Sequence, residues 1–390
     1  MEFGSKNKCQ MFFGHLAFFI NISLVLIFIS CQSNIIKKDL FVRDKTYLLK
    51  SSDEINPYNS ICIQKDSQSY FCYYDVNNHV LKIYKKTTNN VYLKDKSIKI
   101  NDNFNKVIVY NLDSILLINS KLGEIVMINF KNDTIDSFLI PLLLNNVEYK
   151  IVVHSYGAVS INSEEIVFTI FPSVSLEKFY NFNYELEYSF QSRKIINHFL
   201  TFPLTYKYTH WWGGLGNHYE KCKNVEGDII YSFPMTNNLF MYKRNILTEI
   251  KVEKSKYLND FPPKQIVTDS LMSSKYVINF ANTTGFYKSL YFDSYHNYYL
   301  RVVSHEQSAF KMDSQGYKTQ NLYNDRDWSI MIFDLKFHLI GEQKFNGGEF
   351  NFKSIYIIPE GIMLAKINEN SLDNEDFIKL QLFKYKFDEN

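Results

Sequence analysis

Short apolar runs recur along almost the whole chain, and turns built from Asn, Asp, Gly or Ser separate them. Runs of this length with alternating polar positions are typical of strands, and hardly any segment shows the period of a helix. The clearest unit extends from Ser60 to Ile100 and contains four runs in about 40 residues, the size of one propeller blade. Its predicted strands are Ser60–Gln64, Tyr70–Tyr74, Val80–Tyr84 and Val91–Ile98.

The four-strand unit repeats through the rest of the chain. A fifth unit holds a loop of about 25 residues, Ser304–Trp328, a length usually linked to function or mobility. The sixth unit supplies only three strands, whereas Lys45–Lys50 near the start is a spare one. An N-terminal strand that joins the last blade removes the free sheet edges. The pattern therefore predicts an all-β propeller of about six four-stranded blades; a seventh blade within residues 253–285 and a pair of β-sandwiches are the alternatives.

The composition supports strands rather than helices. The 390 residues include 33 Phe and 29 Tyr, which favour strands, and 46% of the chain is hydrophobic, enough for a substantial core. The 43 basic and 41 acidic residues give a formal net charge of +2. Because nucleic-acid binding normally requires a basic face, this balance argues against that class of function.

The first thirty residues have the layout of an export signal. Lys6 and Lys8 precede an apolar run that is clearest from Leu16 to Ile29, and Ser30 and Cys31 close it. A positive flank, an apolar stretch and a small residue at the cut are the parts of a secretory signal. The thiol of a cysteine placed directly after the cut can accept a diacylglycerol, so Cys31 is the predicted site of lipid attachment.

Lipidation at Cys31 divides the chain into a signal peptide (1–30), a lipid-anchored tether (31–44) and the propeller domain (45–390). A transmembrane anchor is one alternative, but His15 and Asn21 interrupt the apolar run, and a span needs about 20 predominantly apolar residues. An ordinary cysteine after a plain signal is the other alternative. Lipidation at Cys31 is the favoured interpretation, and it predicts that a lipid holds the protein at the bacterial cell envelope.

Familiar catalytic motifs are missing from the sequence, which contains no GxSxG, no HExxH and no phosphate-binding loop. The most glycine-rich stretch follows Trp211 and Trp212. Paired indoles beside a glycine turn could form a flat platform for a sugar ring or an aromatic group. The alternative is a tight loop whose indoles pack between blades.

A second candidate site lies in the run from Tyr298 to Glu306. On a strand, Tyr299 and Arg301 share one face, and a buried guanidinium needs an anion or carbonyl oxygens to offset its desolvation. We expect Arg301 to face the central channel and hold a carboxylate in bidentate fashion, with His305 at the strand end. The alternative is an Arg–carboxylate pair between blades with a surface His305.

The remaining cysteines of the predicted domain, Cys62, Cys72 and Cys222, are odd in number, which argues against a disulfide framework. A single bridge between Cys62 and Cys72 is possible within one hairpin, and unpaired thiols are the favoured state. The spacing of Cys and His residues specifies no metal site. We therefore predict no metal and no cofactor.

The lipobox-like end of the signal at Cys31 and the Tyr298–His305 run resemble the uncharacterised propeller-type lipoproteins of Bacteroides-like bacteria. The resemblance implies a propeller and no assigned activity. An acidic run after the cysteine, seen in some surface-exposed lipoproteins of that type, is absent, which favours the outer membrane with the domain facing the periplasm. We expect a binding or scaffold protein for a glycan, a peptide or an envelope protein. A lyase or hydrolase acting on envelope carbohydrate in the central channel, and a purely structural component, are the alternatives.

Overall fold

The computed structural model describes residues 40–50, 60–152, 159–161, 164–174, 181–207, 218–259, 261–262, 280, 282–312, 315–322, 325–367 and 377–387. Strands form most of the regular secondary structure of these residues, and the helical residues are α1 (Leu204–Lys207) and the short segment that contains Phe280, Asn282 and Thr283. None of the helical residues described belongs to a segment long and apolar enough to cross a bilayer. The predicted lipid site Cys31 and the tryptophans Trp211 and Trp212 lie outside the described residues.

Six groups of antiparallel strands follow one another along the chain and are called blades 1 to 6 here. Blades 1 and 6 are joined into one eight-stranded sheet, because Leu48 and Leu49 pair in parallel with Val91 and Tyr92. The first strand, β1 (Phe41–Lys50), belongs to the last blade. Blades 1 and 2 each contain four consecutive strands: β2 (Ser60–Lys65), β3 (Gln68–Asp75), β4 (Val80–Lys86) and β5 (Val91–Lys99), then β6 (Lys106–Asn111), β7 (Ser114–Asn119), β8 (Glu124–Ile128) and β9 (Thr134–Leu139).

Blade 3 has two short additions, because β10 pairs with β11 and β12 pairs with β13. Its strands are β10 (Leu143–Leu144), β11 (Val147–Ile151), β12 (Val159–Ile161), β13 (Glu165–Pro172), β14 (Glu185–Ser189) and β15 (Lys194–Phe199). Blade 4 has the regular four strands, β16 (Glu220–Lys223), β17 (Ile229–Ser232), β18 (Leu239–Lys243) and β19 (Ile246–Ile250).

Blade 5 carries a hairpin within its long loop, between its second and third strands. It contains β20 (Phe286–Asp293), β21 (Tyr298–Ser304), the hairpin β22 (Phe310–Met312) and β23 (Lys318–Gln320), then β24 (Trp328–Phe333) and β25 (Leu339–Phe345). Blade 6 is assembled from both ends of the chain in the order β26 (Phe350–Ile358), β27 (Gly361–Lys366), β28 (Phe377–Tyr385) and β1.

Six clusters of buried apolar side chains alternate with the six blades, and each cluster joins two neighbouring blades. The last of them packs blade 6 against blade 1, for example through Tyr356 and Phe71 with ring centroids 5.1 Å apart. Each blade packs against the next, and the last blade packs against the first, so the six blades form a closed ring. The predicted six-bladed propeller is confirmed, and the β-sandwich alternative is wrong.

The N-terminal strand closes the ring as predicted. Along β1, Tyr47 pairs with Leu380 and Leu49 pairs with Ile378 of β28 in an antiparallel register. The strand begins at Phe41 rather than Lys45, because Phe41 pairs with Tyr385 and is buried against its ring, with centroids 5.2 Å apart. Residues 41–44 therefore belong to the sheet and not to the tether.

Central strands differ from outer strands in their pattern because neighbouring blades cover both of their faces. In β7 all residues from Ile115 to Asn119 are buried, whereas in the outer strand β5 only Tyr92 and Ile98 are buried and charged residues alternate with them. Cys62 and Cys72 lie on paired strands at offset positions and are free thiols. Burial raises the pKa of both.

Candidate functional site

A groove of about 800 Å³ opens between blades 3 and 4. Its volume falls in the range of about 300–1,000 Å³ that is typical of small-ligand sites. Polar and charged side chains form most of its lining. The lining residues are Glu165, Val167, Glu187, Ile196, Asn197, Lys223, Glu226, Gly227, Asp228, Ile229, Tyr242, Lys243, Arg244 and Asn245.

Two carboxylates, Glu165 and Glu187, come from adjacent strands of blade 3. Val167 pairs directly with Glu187, and Glu165 lies two residues before Val167 on β13. Because directly paired residues and residues two apart share a face of the sheet, both carboxylates project from the same face toward blade 4. Glu187 is only 8% exposed, so its environment is set by the groove and not by bulk water.

Two turns of blade 4 form the opposite wall. In the first, the Asp228 backbone N–H donates to Asn224 Oδ1 over 2.9 Å, and Gly227 adopts a φ of 90°, a backbone conformation that favours glycine. The ammonium of Lys243, in the second turn, donates to Glu226 at 2.6 Å and to Asp228 at 2.9 Å. These ion pairs link the two turns and fix the rim of the groove.

The phenol of Tyr242 occupies the floor, with its ring stacked on Phe199 at a centroid distance of 3.9 Å. Its oxygen accepts a hydrogen bond from Asn197 Nδ2 at 2.6 Å and has two possible acceptors, Asn245 Oδ1 at 2.7 Å and Glu187 Oε2 at 3.3 Å. A phenol has one hydrogen to donate, and the shorter distance favours Asn245.

The carboxylate of Glu165 lies within hydrogen-bonding reach of Glu187. Burial and the negative charge of Glu165 raise the pKa of Glu187, since two adjacent carboxylates cannot both ionise cheaply. Glycoside hydrolysis usually needs two carboxyl groups about 5–9.5 Å apart. A hydrogen-bonded pair is closer than that, so the arrangement suits binding better than this chemistry.

A buried ion pair lies deeper in the same interface. Glu185 of β14 receives the Lys221 ammonium from β16 at 2.6 Å and the Thr169 hydroxyl at 2.9 Å, and the Tyr219 hydroxyl also donates to it. Burial lowers the pKa of Lys221, and the charge of Glu185 opposes that shift. Close by, the Tyr231 hydroxyl is fully buried and has no hydrogen-bond partner among the described residues.

Arg301, expected in the central channel, is fully buried between blades 5 and 4. Its Nε donates to Ser232 Oγ at 2.9 Å, and its terminal nitrogens donate to backbone carbonyls of the loop after β17. The guanidinium carbon lies 3.4 Å from the centroid of the Tyr287 ring. Burial lowers the pKa of Arg301 to about 10. The carbonyl acceptors are Phe233, Thr236 and Asn237.

The partners of Arg301 are therefore backbone carbonyl oxygens, and not the carboxylate that was expected. The reason is topological: β21 places Arg301 against the turn that joins β17 to β18, whose carbonyls point inward. Arg301 holds two blades together, and its donors are directed at backbone rather than at a ligand.

His305 lies beyond the end of β21 in a separate cavity of about 390 Å³. It is 5% exposed, and its ring stacks on Tyr257 with centroids 4.4 Å apart. Its Nε2 lies 2.9 Å from Ser329 Oγ, and that hydroxyl donates to Glu342. Burial and the charge of Lys344 lower the pKa of His305 to about 4.

The order of this chain of hydrogen bonds determines its chemistry. Because Ser329 gives its hydrogen to Glu342, it accepts one from His305, and the imidazole cannot act as a base toward that serine. A Ser–His–acid triad needs the histidine in the middle. The described lining of this cavity includes His305 but not Arg301, so the two do not form the shared pocket that the channel-enzyme hypothesis requires.

Tyr299 is buried at 1% exposure and supports the groove from behind. Its hydroxyl accepts a hydrogen bond from Asn224 Nδ2 at 3.2 Å, the residue that closes the first turn of the groove wall. Its ring stacks on Phe337 at 4.6 Å. Burial raises the pKa of Tyr299 to about 12. It therefore positions the wall without lining the groove.

Sequence reasoning missed the groove residues Glu165, Glu187 and Tyr242. The sequence did contain a signal for this face of blade 3. Glu185 and Glu187 are two residues apart on a strand, so their side chains share one face of the sheet. Carboxylates on a face that a neighbouring blade covers need partners. Among the described residues, no cluster of three or more His, Cys, Asp or Glu could hold a metal ion.

These features define a six-bladed β-propeller with a polar groove between two blades. No protein-family model matches the chain, and no curated protein matches its sequence. A member of the DUF4221 family from Bacteroides vulgatus has a similar structure, with a TM-score of 0.69 and 16% identity over 89% of this chain and 98% of that chain. This likeness shows a shared fold and supports the predicted resemblance to uncharacterised proteins of Bacteroides-like bacteria.

Two further solved structures are more distant. A candidate exported protein from Bacteroides fragilis gives a TM-score of 0.48 at 9% identity, covering 91% of this chain and 98% of that chain. Virginiamycin B lyase from Staphylococcus aureus gives 0.41 at 10% identity, covering 86% and 98%.

Proposed function

We propose that this chain is a lipid-anchored envelope protein whose propeller binds a glycan in the groove between blades 3 and 4. The observation that carries the proposal is the convergence of carboxylates, amides and a phenol around the Tyr242 hydroxyl in a groove of about 800 Å³. Sugar hydroxyls both donate and accept hydrogen bonds. Groups such as Glu187, Asn197 and Asn245 offer the matching acceptors and donors.

The rigidity of the site supports binding. Asn197, Tyr242 and Asn245 are already hydrogen-bonded to one another, and each comes from a strand or the turn directly after one. Side chains held in place before binding lose little conformational entropy when a ligand arrives, which favours affinity.

The N-terminal pattern supports attachment to the envelope, with the lipid on Cys31 and the domain facing the periplasm. If Cys31 carries the lipid, only residues 32–40 separate it from the first strand, which starts at Phe41. A fully extended segment of that length spans at most roughly 30 Å. Such a tether would keep the groove close to the membrane and to the glycans attached there.

Calorimetric titration of the full chain in detergent with envelope glycans, namely lipopolysaccharide core oligosaccharides and peptidoglycan fragments, tests the proposal. We expect saturable binding that Asn197→Ala weakens by about tenfold, because it removes a donor from the groove floor. Asn103→Ala changes an exposed amide between blades 1 and 2 and should leave affinity unchanged. Binding of peptides alone, or glycan binding insensitive to Asn197→Ala, would overturn the proposal.

A further inference from the structure

The long loop of blade 5 carries a hairpin, β22 and β23, that the ring of blades does not use. Among the described residues the two strands pair only with each other and form a sheet of their own. No residue of the hairpin belongs to the six buried apolar clusters found in the described part of the chain. We propose that the hairpin docks on the surface of the lipid bilayer that holds Cys31, with Phe310 and Met312 inserted among the lipids. The proposal rests on the proposed function, which supplies the lipid anchor, and adds a second contact with the same membrane.

Large apolar side chains are exposed on this hairpin. The exposed fractions are 49% for Phe310, 66% for Met312, 67% for Tyr317 and 64% for Leu322. Phe310 and Met312 lie two residues apart on β22, so their side chains share one face of the hairpin. Contiguous exposed apolar side chains mark an interaction surface, whereas single ones need no explanation. The hairpin therefore presents a surface for a partner.

Hydrogen bonds hold the base of the hairpin in place. Asn321 Nδ2 donates to Ser308 O at 2.8 Å, which ties the two ends of the hairpin together. Gln307 Nε2 donates to Leu322 O at 3.1 Å and to Asn282 O at 2.6 Å, in the segment that precedes β20. The exposed side chains are thus presented on a supported element, so docking requires little further ordering of the backbone.

The chain enters the ring beside the blade that carries the hairpin. The backbone N–H of Leu40 donates to Gln343 Oε1 of the outer strand β25 over 2.9 Å. Gln343 pairs with Ile330 of β24, and Ile330 pairs with Val302 of β21, the strand that leads into the hairpin loop. Two strand spacings, roughly 10 Å, therefore separate Gln343 from Val302.

A bilayer that holds Cys31 lies within reach of the hairpin. The segment from Cys31 to Leu40 spans at most roughly 30 Å when fully extended, and the segment from Ser304 to Phe310 spans at most roughly 20 Å. The anchor keeps the hairpin close to the membrane surface, so even a weak contact forms at a high effective concentration. The two attachments together are then stronger than either one alone.

The size and chemistry of the hairpin favour a bilayer over a protein partner. A stable protein interface uses about 20–30 residues on each side, and the hairpin with its base, residues 308–322, is shorter than that. Lys318 Nζ lies 4.4 Å from the centroid of the Phe310 ring. A lysine beside an inserted aromatic ring places its stem along the apolar region and its ammonium among the lipid phosphates. The expected surface is therefore the boundary between the acyl chains and the headgroups.

Quenching of tryptophan fluorescence by brominated lipids measures insertion directly. The lipidated protein would be reconstituted in vesicles of phosphatidylethanolamine and phosphatidylglycerol with brominated acyl chains, and Phe310→Trp would supply the reporter. We expect the fluorescence that Phe310→Trp adds to the parent protein to be quenched and shifted to shorter wavelength. Leu122→Trp is the matched control, because Leu122 is 65% exposed in a turn of blade 2, three blades away around the ring. Its added fluorescence should not be quenched.

Removal of the apolar side chains should remove the contact. With Leu322→Trp as the reporter, Phe310→Asp together with Met312→Asp should lower the inserted fraction at least about tenfold, since burial of one large apolar side chain is worth roughly that factor. Leu122→Asp with Ile135→Asp changes two exposed apolar residues of blade 2 and should leave the quenching unchanged. Thermal unfolding and glycan affinity in detergent should stay the same in both double variants, because the groove lies between blades 3 and 4.

The outcomes separate the proposal from the function on which it rests. Lipid on Cys31 and glycan binding in the groove, without quenching of Phe310→Trp, overturn the hairpin contact and leave the function intact. Self-association of the wild-type protein that Phe310→Asp with Met312→Asp abolishes also overturns the contact, because a second copy would then cover the hairpin. A loss of glycan affinity in the same double variant overturns it as well, since the hairpin would then belong to a glycan site. An unmodified Cys31 overturns the envelope attachment and the hairpin contact together.

Discussion

The Lys221 ammonium lies 2.6 Å from Glu185 Oε2, and the two side chains are only 2% and 0% exposed. This pair joins the first strand of blade 4 to blade 3 in the interface that carries the groove. Apolar contacts between blades tolerate small shifts, whereas a buried ion pair has a narrow geometric optimum. We therefore expect the pair to fix the relative position of the two groove walls.

Replacing Lys221 by Met should lower the free energy of unfolding by about 3–5 kcal/mol, because Glu185 would remain as a buried, unpaired charge. Urea denaturation followed by fluorescence measures the change. The double variant Lys221→Met with Glu185→Leu should recover part of the loss. The side chain of Lys243 is 39% exposed in its ion pairs, so Lys243→Met should lower the free energy of unfolding by less than about 1 kcal/mol. Equal losses of unfolding free energy in Lys221→Met and Lys243→Met would contradict the conclusion that burial makes the Lys221 pair the more important one.

Arg301 should behave as a structural clamp between blades. Arg301→Met removes the donors to Ser232 and to three backbone carbonyls, so we expect a loss of roughly 3–5 kcal/mol in unfolding free energy. Arg301→Lys keeps the charge but cannot reproduce the planar fork, and should still lose more than about 1 kcal/mol. Chemical denaturation gives both values. Ligand affinity per folded molecule should not change, and a selective loss of affinity would instead indicate a binding role.

His305 should make stability depend on pH. Its pKa falls from about 6.5 in the unfolded chain to about 4 in the folded protein. The unfolded chain therefore binds more protons between these values, so stability is complete above pH 6.5 and declines as pH falls toward 4. The size of the effect is up to about 3 kcal/mol.

His305→Gln should flatten this decline in urea denaturation measured across the same range. His338→Gln is the control, because the side chain of His338 is 74% exposed. A variant of His305 that keeps the full slope would show that another group, such as His198, whose pKa burial also lowers, is responsible.

Cys31 should carry the lipid that anchors the protein. In Cys31→Ala we expect the lipid to be absent and the protein to leave the membrane fraction, because several acyl chains are needed for stable attachment. Mass spectrometry of the N-terminus and membrane fractionation measure the two effects. Cys62→Ala, which changes a free thiol of blade 1, should leave both unchanged. An intact N-terminus that starts at Met1 in the wild-type protein would contradict the prediction.

The strand pattern could be predicted because alternation of apolar and polar residues is local. The first unit shows this: Val80–Tyr84 was expected, and the strand is β4, Val80–Lys86. Local patterns did not reveal the hairpin β22–β23, whose residues are mostly exposed and show little hydrophobic periodicity. The spare strand at the start and the missing strand at the end predicted closure of the ring, which β1 and β28 perform.

The sequence by itself determined an all-β chain of repeated four-stranded units and the face of each strand on which a residue lies. It also identified Arg301 as a buried charge that needs partners. Only the tertiary structure decided that those partners are carbonyls of the next blade, and that Glu165 and Glu187 meet beside Tyr242. The physical reason is that alternation along a strand determines only the face of the sheet from which a side chain projects. The group that this side chain contacts belongs to a neighbouring blade, whose position depends on the packing of the whole ring.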